Sequence, residues 1–457
     1  MLRSRQALVM TEVPRSTDKL ISPGRSIGVL GASGWAAVSA LAVSVVASRV
    51  LDTADYTQFL VYWSVLFGCF QVLSGLQNEA ARSVSVVTIQ GVERAGRLRS
   101  HAAAVFGVDG SNGAAGKHLP RVILMTVVLA GAVAALAAAI SPWWAHRLDV
   151  GVLLLIVSVV MIVSYGCQLT LVGMLAGRRE WGTMAALSAT EATFRMALVL
   201  VVAFTLHSLT SMRMAAAIPA LTWVVFALFV PRAHKALSVR ADVGLKHLLA
   251  NGAWAMLAAA SAAVLVNGFP AVASAALGAA TPGLASILIG VQLTRAPILM
   301  PLGAFQGVAI AGFVSAKQGR TKALLKPMAA ILGIGLVLAL AVGLVGPWVM
   351  RLLYPSQYAL TNLALGGLAF AAVSIALLTL TGAATIAIGA HRLFVAGWVV
   401  GAAAAVALLF GLPLVGVGRV IASVLIGPVF GMTVHLVAVR NHDRATLGVP
   451  GTSSVTQ

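Results

Sequence analysis

The chain has 457 residues, of which 60% are hydrophobic and only 9% are charged. A soluble globular domain carries charge on about a quarter of its residues, so this composition excludes a soluble protein. The net charge of +19 would suit a nucleic-acid binder if the basic residues formed one surface. They are instead spread through the tails and short loops, which excludes that class as well.

Apolar stretches of twenty or more residues recur along the chain and predict membrane-spanning helices, because a helix needs about 20 apolar residues to cross the hydrocarbon layer. No cleavable signal peptide is expected, since residues 1–26 are polar and basic. The eighth span contains Pro297 and Pro301, which predict a kink. Twelve spans are predicted, at roughly 27–50, 57–82, 121–143, 150–175, 182–206, 212–231, 248–270, 283–314, 327–349, 360–388, 393–412 and 415–439.

The basic residues predict the orientation. With a cytoplasmic N-terminus, 24 of the 31 Lys and Arg residues fall in the tails and loops of the cytoplasmic side. The outer loops then hold four, namely Arg49, Arg147, Arg213 and Arg351. This asymmetry follows the positive-inside rule. We therefore expect a multi-pass protein of a bacterial inner membrane with both termini in the cytoplasm.

Short matches between the two halves predict an internal repeat. SPWWAHRL at 141–148 resembles GPWVMRLL at 346–353, and LTLVG at 169–173 resembles LTLTG at 378–382. Six spans per half is an even number, so the halves enter the membrane in the same direction, as in transporters with parallel repeats. The expected fold is all-α, with two six-helix lobes. Its predicted parts are a basic tail at 1–26, an N-lobe at 27–235, a C-lobe at 236–440 and a tail at 441–457.

Several segments resemble the polysaccharide transporters and lipid-linked oligosaccharide flippases of the multidrug/oligosaccharidyl-lipid/polysaccharide exporter (MOP) superfamily. The resemblance covers nearly the whole chain. The segments are SRVLDTADYTQFLVYWSVL at 48–66, GLQNEAAR at 75–82, VNGFPAV at 266–272, LTRAPILMPLGAFQGVAIAGFVS at 293–315 and PWVMRLLYPSQY at 347–358.

This resemblance implies two six-helix lobes around a cavity that opens to one side at a time. It also implies that lipid-linked sugars or other amphiphiles move outward. One position departs from the family pattern, because members often carry a charged residue after the asparagine that matches Asn267, and here Gly268 follows. Coupling to protons, sodium or the membrane potential therefore stays open, and no cofactor is expected.

Three charged residues, Glu191, Arg195 and Arg295, lie near the middle of predicted spans, where each costs about 2.5–3.5 kcal/mol unless it faces protein or water. Glu191 and Arg195 are four residues apart, which allows either a self-neutralising pair or two cavity residues. Arg295 has no acid nearby in the sequence and is predicted to bind a substrate phosphate, because its planar fork donates paired hydrogen bonds. Gln292 and Asn267 complete the predicted binding set.

Two further charged residues lie at the end of the second predicted span. Glu79 and Arg82 are one turn apart at its cytoplasmic end. They predict either an interfacial anchor or a cytoplasmic gate that contacts an anionic headgroup, with Gln77 as a neutral donor.

Three functions remain open. The leading one is a flippase for a polyprenyl-(pyro)phosphate-linked glycan, for envelope polysaccharide synthesis beside glycosyltransferases or a polymerase. The second is an ion-coupled exporter of drugs or other amphiphiles. The third, a membrane glycan polymerase or ligase, is disfavoured by short outer loops and by the lack of a catalytic constellation, so a transporter rather than an enzyme is expected. The expected partners are anionic and membrane lipids, with no nucleic acid.

Overall fold

The structure is a computed structural model, and it describes residues 23–102, 119–142, 150–295 and 320–447. These residues are almost entirely helical. The first group of helices is α1 Pro23–Val50, α2 Thr53–Ala102, α3 Val122–Ala139, α4 Val152–Gly177, α5 Trp181–Thr205, α6 Leu209–Ala217, α7 Thr222–Phe229 and α8 Pro231–Leu237. The second group is α9 Leu245–Val266, α10 Phe269–Leu277, α11 Leu284–Arg295, α12 Arg320–Leu353, α13 Asn362–Ala387, α14 His391–Gly411 and α15 Gly416–Leu447.

The helices confirm an all-α protein with many membrane spans. Within the described residues, 11 helical segments are long and apolar enough to cross a membrane, and α11 begins at the predicted eighth span. The described spans agree with the predicted ones to within a few residues at most of their ends. The kink predicted at Pro297 and Pro301 lies outside the described residues.

Local sequence explains where several helices begin and break. The Ser208 hydroxyl accepts a hydrogen bond from the backbone N–H of Ser211 at 3.2 Å, which caps the start of α6. A 3-10 turn at Ile218–Leu221 then separates α6 from α7, because Pro219 has no N–H to continue the helix. The sixth span therefore consists of two helices rather than one.

The chain crosses the molecule back and forth, which defines two faces. We call the side on which α1 begins the terminal face, and the other side the opposite face. Tyr354, which follows α12, contacts Ser44 near the end of α1, so α12 ends at the opposite face. Since α13, α14 and α15 then alternate in direction, α15 ends at the terminal face. The terminal face is the predicted cytoplasmic side.

The two halves pair their helices in the same order. In the first half α1 packs on α5, and α3 packs on α4. In the second half α9 packs on α14, and α12 packs on α13. These are the first with the fifth and the third with the fourth span of each half, as a six-span repeat requires. The predicted lobe boundaries stay a prediction.

The seam between the halves is formed by α2 against α9 and α10. Gly75 allows the two helices to approach closely at this seam, since a Cβ atom there would lie only 2.3 Å from the backbone nitrogen of Met256. Nearer the middle, Gly68 faces Gly268. The lobes therefore touch backbone to backbone on this side.

One predicted placement is wrong. Arg213 was assigned to an outer loop, but α6 begins at Leu209 and takes Arg213 into the protein, where it is fully buried. Its Nη2 donates to Gln58 Oε1 at 3.0 Å, and its guanidinium carbon lies 5.6 Å from the centre of the Tyr62 ring. Hydropathy alone cannot show this, because the partners come from α2.

Candidate functional site

Two adjoining cavities lie between the lobes, in the middle of the described helices. The smaller, of about 230 Å³, has the polar side chains of Asn267, Gln292 and Arg295 in its lining, and we call it the polar cavity. The larger, of about 410 Å³, is lined mainly by α1 and α2, and we call it the apolar cavity. Trp63 and Gln292 line both, so the two cavities meet at these side chains.

Arg295 is held in the polar cavity by neutral groups. Its Nη1 donates to the carbonyl oxygen of Val266 at 2.9 Å, at the C-terminal end of α9, where free carbonyls carry partial negative charge. Its guanidinium carbon lies 4.8 Å from the centre of the Phe269 ring, close enough for a cation–π contact. The side chain is 6% exposed. Among the described residues no carboxylate pairs with it, and its Nη2 has no hydrogen-bond partner.

Two neutral side chains share this cavity. The Asn267 Nδ2 donates to Gln71 Oε1 at 3.0 Å, which links α2 to the end of α9. Gln292 lies one turn before Arg295 on α11 and makes no hydrogen bond with any residue that the structure describes. The structure thus brings together Arg295, Gln292 and Asn267 from the predicted binding set.

Glu191 and Arg195 lie elsewhere. Both are buried on α5 and form an ion pair, and the Arg195 Nε also donates to the carbonyl oxygen of Ala216 at 3.1 Å. The Arg195 guanidinium carbon lies 4.7 Å from the centre of the Phe67 ring and 5.9 Å from that of Trp63. These two rings line the polar cavity, while Glu191 and Arg195 do not. The arrangement favours the self-neutralising pair over direct contact with a substrate.

The predicted gate residues form an ionic contact at the terminal face, between α2 and the segment before α9 that the predicted boundary assigns to the C-lobe. Arg82 donates to both oxygens of Glu79, at 2.7 and 2.6 Å, and to both oxygens of Asp242, at 2.9 and 3.2 Å. Ser83 donates to Asp242 at 2.7 Å, and Asn251 on α9 donates to Glu79 at 3.3 Å. We call Glu79, Arg82 and Asp242 the interlobe ion cluster.

The surroundings of Asp242 keep it ionised. Burial alone would raise the pKa of its carboxyl group, but the hydrogen bonds from Arg82 and Ser83 outweigh burial and lower this pKa below its ordinary value. Sequence reasoning missed Asp242. The available signal was that it is the single acid between positions 230 and 247, a loop otherwise rich in basic residues. Gln77 is half-buried and joins no hydrogen bond of this cluster among the described residues.

A cluster of hydroxyl groups joins the lobes at the opposite face. The hydroxyl of Ser44 is 2.8 Å from that of Tyr56 and 3.1 Å from that of Tyr354. The Tyr56 and Tyr358 rings lie 5.2 Å apart, centre to centre. All three tyrosines are buried, and Ser44 and Tyr354 line the apolar cavity. This tyrosine cluster therefore closes that cavity on the opposite face.

Comparison with known proteins identifies relatives over nearly the full length. No family model matches the chain. An uncharacterized protein of Mycobacterium tuberculosis is 34% identical over 451 residues, which cover 96% of this chain and 99% of that protein. A second uncharacterized protein of the same species is 33% identical over 440 residues, covering 95% and 96%.

Solved structures with the same fold are transporters. One is a MOP-superfamily transporter from Pyrococcus furiosus, described as having a binding pocket of reverse polarity, with a TM-score of 0.63, 14% identity and coverage of 93% and 96%. Another is an inward-facing multidrug resistance transporter of the MATE family in that superfamily, with a TM-score of 0.62, 16% identity and coverage of 90% and 95%. An outward-facing MATE transporter has a TM-score of 0.62 at 14% identity, with coverage of 93% and 96%.

Proposed function

The chain belongs to the family of these mycobacterial proteins and has the two-lobe fold of MOP-superfamily transporters, and from this premise we propose that it exports an anionic amphiphile. The substrate we favour is a polyprenyl-(pyro)phosphate-linked glycan or a similar anionic glycolipid, moved from the cytoplasmic to the outer face. The observation that carries the proposal is Arg295, a buried guanidinium in a cavity between the lobes, one nitrogen of which has no hydrogen-bond partner among the described residues.

A buried cation without a paired anion is costly, because its desolvation is not repaid by an opposite charge. Val266 and Phe269 offset only part of this cost, since they supply a carbonyl dipole and a ring face. A phosphate would supply the missing charge and accept two hydrogen bonds from the guanidinium fork. The Arg295 Nη2, which has no partner in the part of the chain that the structure describes, is available to donate one of these two bonds.

The contacts at the two faces suit alternating access. The interlobe ion cluster joins the lobes at the terminal face, and the tyrosine cluster joins them at the opposite face. Each contact can separate while the other keeps the lobes together. An inside-negative potential would favour outward movement of an anion by about 2.3 kcal/mol per charge per 100 mV, so the potential itself can drive export.

An ion-coupled multidrug exporter is the second candidate, and the apolar cavity beside Trp63 favours it. Such a cavity would accept the apolar part of many amphiphiles. The two candidates differ in the charge of the substrate, because Arg295 disfavours a cation in the adjoining polar cavity.

The test measures binding to the purified protein in lipid nanodiscs. The probes are a ten-carbon prenyl phosphate, the matching prenyl alcohol and a lipophilic phosphonium cation. We expect the phosphate to bind most tightly. Arg295→Ala should remove its advantage over the alcohol, and Arg295→Lys should keep part of it, because an ammonium retains the charge but loses the fork.

Equal binding of the phosphate by wild type and Arg295→Ala would refute the proposal. Tighter binding of the phosphonium cation than of the phosphate would support the multidrug exporter instead.

A further inference from the structure

The apolar cavity has a lining unlike that of the polar cavity it joins. Along α1 the lining residues are small or aliphatic, and α2 adds Phe59, Leu60 and Trp63. Its volume of about 410 Å³ falls in the range of small-molecule sites, about 300–1,000 Å³. The α1 residues of the lining are Ala37, Val38, Ala40, Leu41, Val43 and Ser44.

The polar side chains of this cavity are mostly engaged with one another. The Ser44 hydroxyl takes part in hydrogen bonds with both Tyr56 and Tyr354. Among the described lining residues, Gln292 takes no part in these hydrogen bonds, and it lies at the junction with the polar cavity. A sugar in the apolar cavity would lose its hydration and find few hydrogen-bond partners among the described lining residues, which is unfavourable for each buried hydroxyl. We therefore expect the glycan to lie outside this cavity.

The apolar cavity adjoins the polar cavity that contains Arg295, and this limits which ligand group can occupy it. Gln292 is one helical turn from Arg295 on α11, and Trp63 is one turn from Phe67 on α2. A phosphate on Arg295 thus lies about one turn from the mouth of the apolar cavity. We propose that the apolar cavity is the subsite for the first prenyl or alkyl carbons attached to the phosphate. This inference rests on the proposed function, and it places part of the lipid chain inside the protein rather than in the bilayer.

Chain length provides the test. We would titrate the protein in nanodiscs with n-alkyl phosphates of two to ten carbons and with the matching alcohols, using calorimetry. Affinity for the phosphates should rise about fourfold per added methylene, the factor for burying one CH₂ group. It should level off once the cavity is full. The alcohols should show the same rise from a weaker starting point.

Substitutions in the cavity lining test whether the dependence of affinity on chain length arises in the apolar cavity. Ala40→Phe and Ala37→Phe place a ring in the cavity and should remove the dependence on chain length, so that octyl phosphate binds no more tightly than ethyl phosphate. Ala197→Phe is the matched control, because Ala197 is exposed on α5 and lines neither cavity. It should retain the wild-type rise. Partitioning of the probes into lipid would affect all three variants alike.

The outcomes separate this inference from the proposed function. A flat series in the wild type, with Arg295-dependent binding of ethyl phosphate, would overturn the subsite and leave the proposed function intact. If the phosphates bind no more tightly than the matching alcohols at any chain length, and Arg295→Ala changes neither series, the proposed function is overturned. A rise of affinity with chain length in that case would show only an apolar site in the cavity. If the filled variants fail to accumulate, a wild-type experiment decides. An alkyl phosphate with a photoreactive chain end should label residues 37–44, and labelling only elsewhere would overturn the subsite.

Discussion

Asp242→Asn tests whether the interlobe ion cluster holds the terminal face closed. The substitution keeps the shape of the side chain and one oxygen for Ser83. It removes the negative charge and places an amide N–H₂ group or a neutral oxygen against the Arg82 guanidinium. The contact at 2.9 Å between Arg82 Nη1 and Asp242 Oδ2 is the one most directly weakened. The pair of Arg82 and Glu79 lies within α2 and stays.

The magnitude follows from the exposure of the partners. A hydrogen bond to a charged group contributes about 1.5–3 kcal/mol. The Arg82 side chain is 43% exposed, so solvent screening places the effect near the lower end. About 1.4 kcal/mol corresponds to a factor of ten. We therefore expect roughly a tenfold shift from the closed to the separated arrangement of the terminal face.

Spin labels measure this shift. Asn78, which precedes Glu79 on α2, and His247, in the first turn of α9, are exposed. Cysteines introduced there, with Cys69 and Cys167 replaced by alanine, report the distance between the lobes. Asp242→Asn should increase the long-distance population. Glu180→Gln is the control, because the Glu180–Arg232 pair at 3.6 Å is more exposed and lies within one predicted lobe.

Acid provides an independent perturbation of the same contact. The pKa of Asp242 is lowered in the folded protein, so its contribution is present above the ordinary aspartate value of about 3.9. It is lost only as the pH falls through the lower, folded value. The distance distribution should stay constant down to about pH 4. Identical distributions for Asp242→Asn and Glu180→Gln at neutral pH would refute the role of the cluster.

Two further predictions concern packing. Arg195→Ala should destabilise the protein by about 3–5 kcal/mol because it leaves Glu191 buried and unpaired, and the double change of Arg195→Ala with Glu191→Ala should recover most of that loss in thermal unfolding; additive losses would show that the two residues do not act as a pair. Gly75→Leu should prevent accumulation of folded protein, because the added Cβ would meet the Met256 backbone, whereas Gly34→Leu, at a site with no atom within 4 Å, should accumulate normally. Comparable membrane levels of the two glycine variants would contradict the close seam.

Local patterns accounted for the spans and for the pair of Glu191 and Arg195. A membrane span is recognised from the apolar residues of its own helix, and residues four apart lie on the same face of a helix. The spans and this pair could therefore be predicted without knowledge of the rest of the fold. The contact between Arg82 and Asp242 joins residues 160 positions apart, and no local period encodes it. The burial of Arg213 against α2 was missed for the same reason. Arg295 was singled out as a charge without an acid nearby in the sequence, and its position at the end of α9 follows from the packing of the two lobes.

The different chemistry of the two interlobe contacts has a consequence for how ions outside the protein act on it. The terminal face relies on formal charges around a partly exposed Arg82, and dissolved salt weakens such an interaction because the Debye length is only about 8 Å at physiological ionic strength. The tyrosine cluster consists of buried hydroxyls and rings, which are uncharged near neutral pH and do not respond to screening. A rise in ionic strength would therefore loosen one end of the molecule and leave the other unchanged. The protein should therefore respond more strongly to the salt concentration at its terminal face than to that at its opposite face.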